Sequence, residues 1–488
     1  MTSDVWWVLV APLIIATSSG ILALVADAWS KRLWALSFSL VGLVGAAAAS
    51  VWLSLDVAGQ LIADVMLVDR GLYGVWAAAF ALSALSLAAG TEFVRSHPSG
   101  GGVAGLVSFT AAGSAALASS IDLLFTLLLL ETIAIAGYAL IAAVRTPAAG
   151  EAALKYVVQG AVATGLFLLG LAIAVGVLGG STAIVAVGAG ANSLPLPATG
   201  AALFIVVAFA FKLGAFPLHS WVPDSYETAT PMASAVLAGV PKLGALSALF
   251  IFAEVVMRPV ESAGLPGMQP TVVFAALAIG SILFGNLGAL RQSSFGRMLG
   301  YSGIAQAGYV LIGAAAGLMT YPGALLLMAT YGLAAATAFA CAEALRIERG
   351  GWDGTIAAMA GLSVRRPALA VALAVSMLSL TGIPLFGGFW GKLLVFGTVS
   401  GQGLAWLAII GVLGSVVSFG YYGAVIRTAF FDIPESPRHI EAADDDNARV
   451  AVAPFAVAVF GAVAILTIGV VPIFTGLTPL VQFFGIGG

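Results

Sequence analysis

The chain has 488 residues, 61% of which are hydrophobic and only 8% of which are charged, and its formal net charge is −3. A soluble domain carries roughly 25% charged residues, so this composition excludes a soluble globular protein and predicts a polytopic membrane protein. The single cysteine excludes an intramolecular disulfide. Because the sequence contains neither a Cys/His cluster nor a glycine-rich phosphate loop, we expect no metal and no cofactor in this chain.

Apolar windows of about 20 residues, the length that crosses a bilayer, predict about fourteen membrane helices. In chain order these spans cover residues 4–26, 33–54, 72–94, 102–119, 121–144, 153–178, 199–219, 231–254, 269–290, 300–318, 322–346, 367–398, 403–430 and 450–474. Turn-like sequences such as HPSGGG and ANSLPLPATG separate them. The first span has no basic residues before it, which predicts a retained helix rather than a signal peptide.

Basic residues are distributed unequally over the two sets of alternating loops. One set contains Lys31, Arg32, Arg95, Arg145, Arg291, Arg297, Arg346, Arg349, Arg365, Arg366, Arg427, Arg438 and Arg449. The opposite set contains only Arg70 and Arg258. This asymmetry predicts that the first set faces the cytoplasm and that both termini lie outside. The polar stretch FDIPESPRHIEAADDDNAR then forms a solvated cytoplasmic loop.

Four lysines fall within the predicted spans instead of the loops: Lys155, Lys212, Lys242 and Lys392. Glu131 also lies in the middle of a span. Each ionisable group at a helix centre costs about 2.5–3.5 kcal/mol on insertion scales, and such groups usually mark an ion or proton path. A desolvated lysine can release its proton whereas arginine stays charged, so an all-lysine set favours proton transfer over fixed charge.

Each of these polar residues also has a structural explanation. Lys155 lies near the end of its helix and can extend to the membrane surface. Glu131 can be a static ion-pair partner, and His219 can be an interface residue. Glu343 and Asp122 lie near span ends and are interpreted as interfacial.

Two predicted spans contain a proline-induced break beside a lysine. In FKLGAFPLHSW, Pro217 follows Lys212, and in LSLTGIPLFGGFWGK, Pro384 precedes Lys392. Proline lacks the backbone N–H and clashes with the carbonyl four residues earlier, which interrupts a helix. Backbone groups freed in this way are tolerated in a membrane only where water or protein satisfies them, so we expect both breaks to line polar cavities.

The two broken helices are the seventh and the twelfth, five positions apart, which is typical of transporters built from inverted repeats. We therefore predict an all-α fold with two five-helix repeats. The expected division is residues 1–100 for helices 1–3, 101–255 for the first repeat, 265–431 for the second repeat, and 432–488 for the cytoplasmic loop and helix 14.

Three sequence segments resemble the antiporter-like subunits of respiratory complex I. FKLGAFPLHSWVPDSYETATPMASAVLAGVPKLGALSAL resembles the family core, GNLGALRQSSFGRMLGYSGIAQAGYVLIG its helix 9–10 connection, and LSLTGIPLFGGFWGKLLVF its broken helix 12. The resemblance covers roughly residues 100–430. Lysine rather than histidine at Lys242, lysine rather than glutamate at Lys392, and a chain that stops soon after helix 14 favour the N-type.

The resemblance implies that Glu131, Lys155, Lys212, Lys242 and Lys392 form a proton relay, with His219 as a further candidate. It implies a proton-translocating subunit of NADH-quinone oxidoreductase in a bacterial cytoplasmic membrane. The partners would be the lipid bilayer and other complex I membrane subunits in a hetero-oligomer, without nucleic acid. NADH, flavin, iron–sulfur clusters and quinone would be bound by partner subunits.

In the expected mechanism, protons reach the broken helix 7 from the cytoplasm, Lys242 stores a proton, and Lys392 passes it outward. Glu131 keeps Lys212 protonated while the two are close, because an opposite charge favours the charged form. One alternative is a subunit of an Mrp-type cation/proton antiporter or a membrane-bound hydrogenase, which share the family core. Another is a passive scaffold, in which lysine substitutions would leave turnover intact.

Overall fold

The computed structural model describes residues 6–55, 57, 59–178, 180–191, 195–258, 269–348, 352–433 and 451–484. Within these ranges the chain is almost entirely helical, which confirms the predicted all-α fold class. One antiparallel hairpin is the only sheet in the described ranges. The acidic run predicted to lie in the cytoplasmic loop, residues 444–446, is outside the described residues.

The first part of the chain contains three long helices and the hairpin. Its elements are α1 (Trp6–Leu9), α2 (Ala11–Ala28), α3 (Arg32–Leu53), β1 (Gln60–Ile62), β2 (Met66–Val68), α4 (Arg70–Ala89) and α5 (Thr91–Ser96). The carboxylate of Asp69 starts α4, because its Oδ1 accepts a hydrogen bond from the Leu72 N–H at 2.8 Å. This bond satisfies one of the free N–H groups at the helix N-terminus.

The next part corresponds to the predicted first repeat. Its elements are α6 (Gly100–Ala118), α7 (Leu123–Ala142), α8 (Pro147–Leu178), α9 (Ile184–Ala191), α10 (Pro195–Leu213), α11 (Trp221–Thr228) and α12 (Pro231–Phe252). The last of these continues as a π-helical turn over Ala253–Met257.

The remaining described residues contain the second broken helix and the C-terminal helices. Their elements are α13 (Pro270–Ala289), α14 (Phe295–Ala316), α15 (Tyr321–Glu348), α16 (Leu362–Arg365), α17 (Pro367–Thr381), α18 (Gly387–Gly401), α19 (Ala405–Phe431), α20 (Val452–Thr475) and α21 (Thr478–Phe484).

Every predicted span overlaps a helix of the structure. Twelve helices in the described ranges are long and apolar enough to cross a membrane. The predicted helix 10, α14, is not among them, and the predicted helix 12 is divided into α17 and α18, each of 15 residues. The count of fourteen membrane helices therefore stays a prediction.

Both predicted breaks are present, and each begins at a glycine in the left-handed conformation. Helix α10 ends at Leu213, earlier than the predicted span 199–219, and Gly214 follows with φ +71°. This end is explained by Pro217, whose ring excludes the carbonyl four residues earlier, that of Leu213. Helix α17 ends at Thr381, and Gly382 follows with φ +88°. Glycine adopts this conformation without steric cost.

The two most enclosed helices lie at the centre of the bundle. In the most apolar 18-residue window of Pro231–Met257, 94% is buried inside the protein, and in that of Leu318–Glu348 the buried share is 89%. By contrast, only 33% is buried for α2 and for α19. The lysine of α12, Lys242, is therefore placed in the interior of the bundle, far from its lipid-facing surface.

Candidate functional site

Three of the predicted lysines are buried, each beside the face of a tyrosine ring. Lys212, Lys242 and Lys392 are 2%, 0% and 4% exposed. In the described ranges, none of them forms an ion pair with a carboxylate. The distances from Nζ to the ring centroid are 6.0 Å for Lys212 and Tyr156, 5.4 Å for Lys242 and Tyr331, and 4.6 Å for Lys392 and Tyr309.

Lys392 is held by backbone carbonyls that the break between α17 and α18 leaves free. Its Nζ donates to the carbonyl of Leu380 at 3.1 Å, to that of Thr381 at 2.8 Å, and to Ser415 Oγ at 3.1 Å. The last carbonyls of a helix have no intrahelical partner. Lys392 therefore satisfies the end of α17, and all three donors of its ammonium group are used.

Lys242 is held by one carbonyl in a space that two glycines keep open. Its Nζ donates to the carbonyl of Gly303 at 3.1 Å. A Cβ atom at Gly303 would lie 3.0 Å from this Nζ and 2.6 Å from the hydroxyl of Tyr331. A Cβ atom at Gly214, in the break that follows α10, would lie 3.8 Å from the same Nζ. The break beside Lys212 is thus adjacent to the amine of Lys242.

The amine of Lys212 differs from the other two, because it has no hydrogen-bond partner among the described residues. It lines a small cavity together with Glu131. The cavity volume is about 20 Å³, which is enough for roughly one water molecule. Glu131 instead accepts a short hydrogen bond from the hydroxyl of Thr164.

Helix α14 connects the sites of Lys242 and Lys392. Gly303, the acceptor for Lys242, lies one helical turn before Gln306. Gln306 is 2% exposed, and its Nε2 donates at 2.9 Å to the Leu380 carbonyl that also accepts from Lys392. The two amines therefore contact the same helix about one turn apart, Lys242 directly and Lys392 through the shared Leu380 carbonyl.

Lys155 and His219 are placed apart from these three lysines. Lys155 is exposed and lies 2.8 Å from Glu151 and 2.9 Å from Asp224. His219 is half-buried, its Nδ1 lies 3.1 Å from the carbonyl of Pro217, and its ring packs near Phe284. The structure therefore brings Glu131 and Lys212 to one cavity and places Lys242 and Lys392 beside one helix, α14. Lys155 and His219 lie at the periphery.

The freed backbone at the breaks is satisfied by specific side chains. Ser281 Oγ accepts from the N–H of Phe216 at 2.9 Å, and Ser379 Oγ accepts from that of Gly388 at 3.1 Å. Pro217 and Pro384 themselves are exposed on the surface of the chain. The backbone N–H groups of Phe216 and Gly388 are thus satisfied by direct hydrogen bonds, and the expected polar cavities at the breaks stay a prediction.

A charged cluster that the sequence reasoning missed lies between α8, α11 and α14. Asp224 Oδ2 lies 2.9 Å from Lys155, and its Oδ1 lies 2.5 Å from Arg297, which also contacts Glu227 at 3.1 Å. Burial raises the pKa of Asp224, but the hydrogen bonds from Lys155 and Arg297 outweigh it and hold the pKa below its usual value. The carboxylate is therefore ionised at neutral pH. The sequence offered one signal, an acidic residue in WVPDSYE directly after the break.

Comparison with known proteins identifies the family. The sequence profile described as "NADH:quinone oxidoreductase/Mrp antiporter, TM" matches residues 120–418. The chain belongs to this family. This confirms the membership that the resemblance predicted, and the family includes membrane subunits of more than one kind of complex.

Curated relatives within the family bear the name "NADH-quinone oxidoreductase subunit N". The protein of Sphingopyxis alaskensis is 37% identical over 67% of this chain and 68% of its own length. The "subunit N 2" of Symbiobacterium thermophilum is 33% identical over 88% of this chain and 89% of its own length.

Solved structures of two complexes contain similar chains. A chain of respiratory complex I from Thermus thermophilus with bound aureothin is 28% identical, with a TM-score of 0.79 over 98% of this chain and 100% of that one. A chain of the Mrp complex from a Dietzia species has a TM-score of 0.83 over 100% of this chain and 97% of that one. Its identity is only 22%, so this likeness concerns the fold alone.

Proposed function

We propose that the chain is the proton-translocating subunit N of a bacterial NADH:quinone oxidoreductase, and that buried lysines move the protons. The names of the curated relatives and the likeness to a complex I chain at 28% identity support this assignment. The observation that carries the mechanism is the set of three lysines, each less than 5% exposed, that lack a carboxylate partner in the described ranges.

The surroundings of these amines suit groups that change their protonation state. Lys242 and Lys392 contact carbonyls, a hydroxyl and aromatic rings, which are neutral donors or acceptors. A fixed structural cation inside a protein is normally paired with an anion, because an unpaired buried charge is costly. A lysine in neutral surroundings can instead gain and release a proton as its neighbours change.

The order of the contacts suggests a route. A proton reaches Lys212 beside Glu131, since both line the same cavity. It passes Gly214 to Lys242, whose acceptor Gly303 lies on α14. It then follows α14 past Gln306 to the Leu380 carbonyl and Lys392. Because neighbouring amines interact, their protonation belongs to the row and not to one residue.

The remaining features of the assignment follow from the same proposal. The chain is a multi-pass membrane protein, and we place both termini outside the cytoplasm on the basis of the positive-inside asymmetry. Residues 101–255 and 265–431 form the two repeats around the broken helices. Other membrane subunits of the complex are its partners, and NADH, flavin, iron–sulfur clusters and quinone are bound in partner subunits. Lys155 belongs to the approach to Lys212, and His219 stays a candidate only.

The assignment is tested in inverted membrane vesicles that contain the assembled complex, with NADH as the substrate and a pH-sensitive dye as the readout. We expect Lys242→Ala and Glu131→Ala each to abolish proton pumping and to lower coupled quinone reductase activity strongly. Lys31→Ala is the control, because Lys31 is an exposed loop lysine. Full proton pumping in both interior variants would overturn the relay.

A further inference from the structure

A seam between α8 and α11 separates the Lys212 site from the end of the bundle that carries Arg145, Arg297 and Arg346, which is called the basic side below. Three side-chain pairs close this seam: Lys155 with Asp224 at 2.9 Å, Tyr156 stacked on Trp221 with ring centroids 3.9 Å apart, and Gln159 Nε2 donating to Ser220 Oγ at 2.9 Å. Gln159 follows Tyr156 by three positions and Lys155 by four, so it lies on the same helix face as each of them.

The face of α8 that forms the seam leads to the cavity between Glu131 and Lys212. Ala163 and Thr164, which line that cavity, follow Gln159 by four and five residues. From Lys155 to Thr164 the helix advances about 13.5 Å. Tyr156 belongs to both places, because its ring stacks in the seam and also lies beside the amine of Lys212.

Gln159 provides an independent sign that water belongs in the seam. Its Nε2 is bonded to Ser220, but its Oε1 is buried and has no partner among the described residues. Buried polar atoms are nearly always hydrogen-bonded, to ordered water if not to protein. This acceptor lies about halfway between Lys155 and Thr164, so a water molecule bound to it would stand between the basic side and the cavity.

Asp224, on α11, forms ion pairs with both neighbouring helices of the seam, α8 and α14. Its two oxygens contact different cations on different helices, Lys155 on α8 and Arg297 on α14. The other two carboxylates of the cluster lack this bridging geometry. Glu151 contacts Lys155 within α8, and Glu227 contacts Arg297 only. Charge-assisted hydrogen bonds of this kind are about twice as strong as neutral ones.

We propose that Asp224 is a positioning residue that controls access of water from the basic side to the Glu131–Lys212 cavity. While Asp224 holds Lys155, α11 stays against α8 and the seam is closed. When this pair opens, water reaches Gln159 and then the cavity, and protons follow the water to Lys212. The inference rests on the proposed function, since it assumes that Lys212 takes up protons from this side.

The test is the reactivity of a cysteine placed in the cavity. Ala163→Cys is introduced together with Cys341→Ala, because Cys341 is the only native cysteine. Vesicles with the assembled complex are treated with a membrane-impermeant, cationic methanethiosulfonate reagent, and labelling of this chain is measured by mass spectrometry. We expect Asp224→Asn and Lys155→Met each to raise the labelling rate about tenfold, since each removes a charge-assisted pair that keeps the seam closed. The rise should occur in inverted vesicles and not in right-side-out vesicles.

Three matched variants separate access control from simple loss of charge. Glu151→Gln and Glu227→Gln each remove one carboxylate of the cluster without breaking the α8–α11 pair, so labelling should stay within about twofold of the parent. Asp224→Glu keeps the carboxylate and should restore slow labelling. Unchanged labelling in both Asp224→Asn and Lys155→Met would overturn the proposal, as would an equal rise in the Glu227→Gln control.

This outcome does not depend on proton pumping. If Lys242→Ala pumps normally while Asp224→Asn is labelled faster, the relay fails and the access role of Asp224 stands. If Lys242→Ala abolishes pumping and labelling is unchanged, the relay stands and the access role fails. If Asp224→Asn does not assemble, Lys155→Met gives the same readout, because it alters only an exposed side chain.

Discussion

Lys212 and Lys392 both lie beside a helix break, yet their amines are held in opposite ways. The amine of Lys392 donates to two carbonyls and a hydroxyl, whereas that of Lys212 has no hydrogen-bond partner among the described residues. Both side chains are less than 5% exposed, so burial does not explain the difference.

The order of lysine and break along the chain explains it. Side chains on an α-helix tilt toward the helix N-terminus. Lys392 follows its break and lies in the second turn of α18, so its side chain points back to the free carbonyls at the end of α17. Lys212 precedes its break at the end of α10, so its side chain points away from the break and toward Glu131. One break therefore holds a lysine, and the other leaves it free to respond to a carboxylate.

The sharpest way to break this comparison is to remove each amine while keeping the side-chain volume. Lys212→Met and Lys392→Met should both abolish proton pumping, but only Lys392→Met should destabilise the complex. It removes the amine donor from the carbonyls of Leu380 and Thr381 and from Ser415 Oγ, and of these only the Leu380 carbonyl keeps a second donor within the described ranges, Gln306. The cost is about 1–3 kcal/mol for each buried group that finds no substitute. The thermal midpoint of the solubilised complex checks this, with Lys31→Met as the surface control. An equal loss of stability in the two variants would contradict the explanation from chain order.

The middle of the route is tested by filling the space beside Lys242. The Cβ of Gly303→Ala would lie 3.0 Å from Lys242 Nζ and 2.6 Å from the Tyr331 hydroxyl, so the amine must shift. We expect pumping to fall about tenfold or more, because small displacements of reacting groups have large effects on rate. Gly165→Ala is the control, since its Cβ would meet no atom within 4 Å. Normal pumping by Gly303→Ala would show that the position of this amine is not critical.

A smaller effect is expected where one of several hydrogen bonds is lost. Ser415→Ala removes the hydroxyl partner of Lys392 but leaves the carbonyls of Leu380 and Thr381 in place. A single hydrogen bond contributes roughly 0.5–1.5 kcal/mol, so pumping should fall by no more than about tenfold. The exposed Ser400→Ala on the same helix as Lys392 is the control. Complete loss of pumping in Ser415→Ala would mean that the hydroxyl itself carries protons.

The sequence predicted the breaks and the buried lysines because both signals are local. Proline positions, glycine positions and a lysine within an apolar window can be read from a few neighbouring residues, and Pro217 even accounts for the end of α10 at Leu213. The side on which each lysine lies relative to its break is equally local. The order of lysine and break along the chain could therefore have predicted that the amine of Lys392, and not that of Lys212, is hydrogen-bonded.

The contacts between distant segments could not be predicted in the same way. The tyrosine rings beside the three lysines come from α8, α14 and α15, and the Asp224 cluster joins residues about 70 positions apart. Lys155 illustrates the limit most clearly. The sequence left open whether Lys155 belongs to the relay or extends to the membrane surface. Which faces of α8 pack inward is decided by tertiary contacts, and Lys155 faces outward to Asp224.

The central claim is that the interior lysines exchange protons and do not merely supply positive charge. The measurement that tests it most directly is NADH-driven proton pumping by vesicles that contain the Lys242→Arg complex. Arginine keeps the charge and a hydrogen-bond donor, but it does not release its proton in proteins. We predict an assembled complex that fails to pump. Proton pumping at the wild-type rate in Lys242→Arg would contradict the account.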